Sequence, residues 1–207
     1  MKVIMKKIIL LFLALISLSA NAQKIDMDKQ DADGSRLVAT TRVLFAEHDL
    51  TFVLIPKKDK RPSSIDLQAE CFINKDGDRS YFVDFPIFYY KHEILVKKGS
   101  RLLFKFDNDS IMEVKSSRNV DEINNDLDIM NNKSTYSAVL SYELSPSQVD
   151  IFRSHKVIKM RLETDLDYLD FDSTYYDERF DFSGKFIKCI NAIDKELTKS
   201  NDLYNGF

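Results

Sequence analysis

The stretch SIDLQAECFINKDGDRSYFVDFPIFYY, Ser64 to Tyr90, decides the fold. In its first arm Ile65, Leu67, Ala69, Cys71 and Ile73 alternate with mostly polar neighbours, the period-two pattern of a strand with one buried face. Lys75-Asp76-Gly77-Asp78 then carries the Asp-Gly step of a tight hairpin. In the second arm Tyr81, Val83, Phe85, Ile87 and Tyr89 share one face and form a core stripe. Phe82, Asp84, Phe88 and Tyr90 share the other, with Pro86 among them. A proline cannot donate to a β-ladder, so this arm is expected at a sheet edge or a bulge. Two such arms joined by a tight turn make the fold antiparallel.

The pattern continues on both sides. Arg36 to Ala46 and Leu50 to Ile55 are strand-like and separated by Glu47-His48-Asp49, and KKDKRPSS (57–64) is a charged loop. Lys98-Gly99-Ser100 turns into RLLFKFD, where Leu102, Phe104 and Phe106 alternate with Leu103 and Lys105. Asp107-Asn108-Asp109 turns into SIMEVK, and strand character returns at Thr135 to Glu143 and Lys156 to Glu163. Between them, residues 116–134 carry Val120, Ile123, Leu127 and Met130 at helical spacing, with Asn119 and Glu122 placed for a capping box. The spacing predicts a short surface helix there.

ELSPSQVDIFRSH, Glu143 to His155, holds a serine, an aspartate and a histidine close together. Ser145, Pro146 and Gln148 spell a capping box with proline at the first helical position. Val149 and Phe152 then point to the core, and His155 lies at the opposite end of the helix from the serine. A nucleophilic serine needs a base within hydrogen-bond reach, so the stretch is read as a strand, short helix and strand. The last element predicted is a helix from about Phe182 to Lys199, with Phe186, Ile190, Ile193 and Leu197 as its apolar stripe. The expected fold is α+β: a mostly antiparallel β-sheet, sandwich-like or strongly curved, with short helices and a C-terminal helix packed on the sheet.

The chain opens MKVIMKKIILLFLALISLSANAQ. Lys2, Lys6 and Lys7 precede an apolar run from Ile8 to Leu18, too short to span a bilayer, and Ala20-Asn21-Ala22 gives a small-x-small cleavage site. The expected organisation is a signal peptide at 1–22, a flexible leader at 23–35 and a single domain at 36–207. The protein is then periplasmic or secreted, with no membrane insertion after cleavage following Ala22. Losing three lysines leaves 27 basic residues against 33 acids, a net charge of −6. That balance argues against nucleic acid, whose binding rests on neutralising phosphates.

Cys71 and Cys189 are the only cysteines and both occupy core-facing positions. Export permits a disulfide, and two buried thiols or one buried disulfide both fit. His48, His92 and His155 never occur at metal-ligand spacing, and DADGS (31–35) and NKDGD (74–78) lack the carboxylates of a calcium loop. The residues therefore carry no catalytic, metal or cofactor motif. TDLDYLDFDSTYYDERFD (164–181) sets seven acids from Asp165 to Asp181 against the single base Arg179. A solvated strand and loop account for it, and a cation- or partner-binding lip is the alternative. Asp109-Ser110-Ile111 and Asp172-Ser173-Thr174 match the short acceptor triplets of an envelope O-glycosylation system, which makes Ser110 and Ser173 candidate modification sites.

The Ala-Asn-Ala-Gln cleavage site, the KKGSRLLFKFDNDS hairpin and YELSPSQVDIFRSHKVIKMRLET together give a layout that resembles uncharacterised small exported proteins of gut-type Gram-negative bacteria. The resemblance implies export and no activity. The leading expectation is a non-enzymatic module that binds an envelope protein, with Phe82, Asp84, Phe88 and Tyr90 as contacts. Two alternatives stand beside it: a carrier of a small apolar or sugar ligand between sheet and C-terminal helix, and a hydrolase whose residues converge only in three dimensions.

Overall fold

The Ser64–Tyr90 stretch forms a hairpin of β4 (Ser64–Ile73) and β5 (Arg79–Tyr90) in a computed structural model that describes residues 23–47, 64–90, 96–120, 124–128, 133–165, 167–176 and 180–204. Its turn is held from within. The Asn74 carboxamide oxygen accepts the N–H groups of Asp76 and Asp78, each at 2.9 Å. Gly77 takes φ 87°, a conformation open to glycine without a steric penalty.

Around the hairpin lie β1 (Ile25–Gln30), β2 (Arg36–Thr40), β3 (Val43–Glu47), β8 (Asn124–Asp128) and β9 (Lys133–Leu144). They complete a seven-stranded antiparallel sheet of order β1-β2-β4-β5-β9-β8, with β3 also paired to β4. A second antiparallel sheet runs β11 (Tyr168–Asp172), β10 (Val157–Glu163), β6 (Arg101–Phe106), β7 (Ile111–Lys115). The helices are α1 (Pro146–Ser154), α2 (Ser173–Tyr176) and α3 (Phe182–Tyr204). This is the α+β, mostly antiparallel architecture expected, with the C-terminal helix packed on β2, β3 and β4 of the larger sheet.

The core is aromatic and α3 supplies its centre. Phe182 is fully buried, with ring centroids 5.4 Å from Phe45, 5.8 Å from Phe85, 5.1 Å from Phe104 and 5.4 Å from Phe152. It therefore touches both sheets and α1 at once. Phe186, Cys189, Ile190, Ile193 and Leu197 continue the buried stripe. The helix begins where Asp181 caps it: the carboxylate accepts the Gly184 N–H at 3.1 Å, and the Asp181 N–H donates to the Phe45 carbonyl at 2.9 Å. One cap thus starts the helix and ties it to β3.

α1 forms as its sequence predicts. The Ser145 N–H donates to Gln148 Oε1 at 2.8 Å, the Gln148 N–H donates to Ser145 Oγ at 3.3 Å, and Val149 and Phe152 are buried. The serine is spent on the cap, and His155 closes the far end by donating its N–H to the Ile151 carbonyl.

Four expectations are corrected. Residues 25–30, read as part of a flexible leader, form β1, whose exposed side chains are held by the ladder to β2 and by a bidentate pair of Arg36 with Asp28 at 2.8 and 2.6 Å. The helix expected within 116–134 is replaced where the chain is described: Asn124–Asp128 is a strand paired to β9, and the Asn119 carboxamide accepts the Lys98 N–H at 2.8 Å instead of capping a helix. β5 is not an edge strand, because β9 pairs along it from Tyr81 to Tyr90. Pro86 is accommodated by a gap in the opposite ladder, which breaks between the Gln68–Asp84 and Ile65–Ile87 pairs. The fourth concerns Arg36 to Ala46, which is not one strand. It splits at Thr41-Arg42 into β2 and β3, both on the same edge of β4. Residues 1–22 and 50–55, the signal-peptide and second-strand expectations, lie outside the described residues.

At that split the buried Thr40 side chain substitutes for the ladder. Its hydroxyl accepts the Ala69 N–H at 3.1 Å and faces the Ala69 carbonyl at 3.3 Å. Thr40→Val keeps the shape and orphans both groups, so about 1–3 kcal/mol of stability should be lost in urea titration. A change within error would show that the backbone can re-pair without the hydroxyl.

Between the sheets a void of about 10 Å³, lined by apolar residues and Tyr142, leaves room for no more than about one water. The Tyr142 hydroxyl is buried without a partner. Removing an unsatisfied polar group should help, so Tyr142→Phe is expected to raise the urea midpoint by about 1 kcal/mol equivalent. A loss of stability would mean the hydroxyl is hydrogen-bonded after all.

Candidate partner-binding face

One face of the larger sheet turns inward to α3 and the smaller sheet, and the other carries the predicted site. Register sets its rows. Ala39 opposes Glu70, Glu70 opposes Phe82, and Phe82 opposes Glu143. In the next row Gln68 opposes Asp84, and Asp84 opposes Ser141. Phe72, Leu44 and Val139 lie on the same face and are exposed to 38, 39 and 37 %. Among the sequence-predicted contacts, Phe82 is half-buried, and Asp84 is only 7 % exposed. Phe88 and Tyr90 continue the same parity, opposite Ser137 and Thr135. Their side chains lie outside the described residues.

Asp84 is the chemical centre of this face. Glu70 is its diagonal neighbour across the strands, close enough for the two carboxyls to interact. Burial pushes the Asp84 carboxyl above the usual carboxylate range, with Ser141, Arg118, Glu70 and Arg42 drawing it partly back. Glu70 is raised too, first by burial and then by the Asp84 charge, while Arg118 lowers it. One oxygen of Asp84, Oδ1, is buried with no hydrogen-bond partner. A buried unsatisfied carboxyl oxygen costs free energy unless a donor reaches it.

Among the described residues no group of three or more His, Cys, Asp or Glu side chains could hold a metal ion, and no helix is long and apolar enough to cross a membrane. Within the acidic run from Asp165, Asp170 and Asp172 are paired with β10. Asp170 accepts from Arg161 at 2.6 and 2.8 Å and pairs with Lys159 at 2.7 Å, and these contacts, led by Arg161, hold its carboxyl down to about 2.

The remaining predicted sites are placed as follows. Cys71 and Cys189 are buried free thiols, and burial pushes Cys71 up to about 11. Ser110 is exposed in its turn, donating through Oγ to Asn108 Oδ1 at 2.6 Å, and Ser173 is exposed at the start of α2. His155 approaches Asp107 at 3.4 Å, while His48 and His92 lie outside the described residues.

Glu70, Gln68, Phe72, Ser141 and Arg118 were not singled out from sequence. The first three had a signal, because the Asn74–Asp78 turn fixes the register that puts Glu70 across from Phe82. Ser141 and Arg118 arrive from distant segments that no local pattern connects to Asp84. The architecture is that of an α+β protein with two antiparallel sheets and a terminal helix over an aromatic core. No family model, curated protein or solved structure matches the chain.

Proposed function

We propose that this chain is an exported, non-enzymatic protein-binding module of the envelope or the extracellular medium, which meets its partner through the outer face of β4, β5 and β9. The observation that carries the reading is Asp84, a buried carboxyl with an unpartnered oxygen in the middle of a face flanked by half-exposed aromatic and aliphatic side chains. A partner that inserts an N–H or O–H donor satisfies that oxygen and covers Phe72, Leu44 and Val139. Aromatic anchors around a desolvated polar centre are the usual composition of a binding hot spot. The void between the two sheets is far smaller than the roughly 300 Å³ at which ligand pockets begin, so it gives an apolar ligand no room there.

The test is capture of native envelope proteins on the tagged protein, compared with Phe72→Ala and with the double change Phe88→Ala and Tyr90→Ala. A stoichiometric partner lost from the variants, whose melting temperatures stay within a few degrees of the parent, supports the face. Equal retention by parent and variants would place the partner elsewhere.

A further inference from the structure

We propose that the free edge of β7 takes up an extended peptide from a second protein as an added β-strand. This surface is distinct from the face around Asp84. The two sheets are joined main chain to main chain where Ser116 bridges Tyr142 and the Ser117 N–H donates to the Ser141 carbonyl at 3.2 Å. Away from that junction β7 and the end of β9 part around an open groove of about 490 Å³. Glu113, Val114 and Lys115 line one side of it, and Glu143, Leu144 and Arg79 line the other. That size lies within the roughly 300–1,000 Å³ typical of ligand sites.

An antiparallel ladder turns the N–H and C=O of alternate residues to opposite sides. Ser116 uses both on the β6 side: its N–H donates to the Ser100 carbonyl at 2.9 Å, and its carbonyl accepts the Gly99 N–H at 2.9 Å. Ser117 points the other way, to β9. The same parity turns the N–H and C=O of Glu113 and Ile111 away from β6, where β7 has no paired strand among the described residues. An extended guest satisfies these groups in the manner of strand addition.

Side chains choose the guest. Ile111 is 66 % exposed. Among the described residues Glu113 makes only long ion pairs, 3.9 Å to Lys115 and 4.0 Å to Arg101, so it is available to a better-placed cation. Directly opposed residues of opposite charge or matching apolar character stabilise a strand pair. Lys115 already faces Glu143 at the junction, so an antiparallel guest presents, from its N-terminus, a basic residue opposite Glu113 and an apolar one opposite Ile111. Its alternate positions, beside Val114 and Met112, are apolar.

The probe is fluorescein-Gly-Ser-Val-Lys-Val-Val-Thr-amide, labelled through its N-terminus and titrated with the purified protein by fluorescence anisotropy. Saturable binding is expected. Glu113→Pro deletes an N–H that faces the groove and leaves the β6 ladder intact, so binding should weaken about tenfold or more. Glu113→Lys should weaken it roughly twofold to fivefold, and the peptide with glutamate in place of lysine should restore it. Phe72→Ala should leave peptide binding unchanged, which separates this groove from the face proposed above. Absent saturable binding, or charge reversal without rescue, would overturn the proposal. So would a homodimer in sedimentation that Glu113→Pro dissolves, since the occupant would then be a second copy. If Glu113→Pro fails to fold by circular dichroism, the charge-reversal pair decides alone.

Discussion

Phe182→Ala should lower folding stability by about 3–5 kcal/mol, a large share of the roughly 5–15 kcal/mol that holds a domain together. The ring is fully buried and meets aromatic partners from β3, β5, β6, α1 and α3 itself. Truncation removes its buried apolar surface and leaves a cavity that several rigid rings, themselves packed, cannot collapse to fill. Urea unfolding should show a lower midpoint with little change in slope. Phe182→Leu, which keeps much of the volume, should lose distinctly less. A loss below about 1 kcal/mol for Phe182→Ala would mean that the sheets and helix do not depend on one shared ring.

Asp84→Asn should stabilise the protein at neutral pH, by about 1–3 kcal/mol if the buried charge is its main burden. Asp84 and Glu70 are both raised above their ordinary carboxyl values, so the folded state holds a proton that the unfolded chain releases. Stability from this pair is fully present below the ordinary carboxyl pKa, roughly 4. It declines as pH rises from there through the raised value. The parent should therefore lose stability relative to Asp84→Asn over that window, and the two curves should converge at low pH. Asp28, Glu163 and Asp170 are lowered by arginine partners and work in the opposite direction. They are common to both proteins and cancel in the difference. Parallel stability curves would show that Asp84 is ionised without penalty and that the pair holds no proton.

Were a partner to fill the unpaired side of Asp84, that proton would have a competitor. A donor reaching Oδ1 favours the ionised form and lowers the cost of its burial. Binding at the outer face should then be accompanied by proton release, which isothermal titration in buffers of different ionisation heat would reveal.

Local pattern carried much of this protein. The Asn74–Asp78 turn and the alternation of Ile65 to Ile73 define the central hairpin, because side-chain period and turn chemistry act over only a few residues. Ser145, Pro146 and Gln148 define α1 for the same reason, and the 3.6-residue stripe of Phe182 to Leu197 defines α3. Local pattern misled where pairing came from afar. The helical spacing of Val120, Ile123 and Leu127 is genuine, yet β9 offers Asn124–Asp128 a ladder that outweighs it. Pro86 argued for an edge, and β9 nevertheless pairs along the whole of β5 while the neighbouring ladder opens to spare the missing donor. The polar run from Ile25 to Gln30 has too little apolar character to announce a strand, and main-chain pairing to β2 supplies one.

The sequence by itself determined the parity of β4, β5 and β6, the turns at Gly77 and Gly99, the cap of α1 and the acidic balance of the chain, since these depend on neighbours along the backbone. Tertiary structure alone decided the strand order, the burial of Asp84 beside Glu70, and the groove that opens between β7 and β9. Those features depend on which distant strands close against one another, a choice set by the summed burial of the aromatic core rather than by any short stretch of residues.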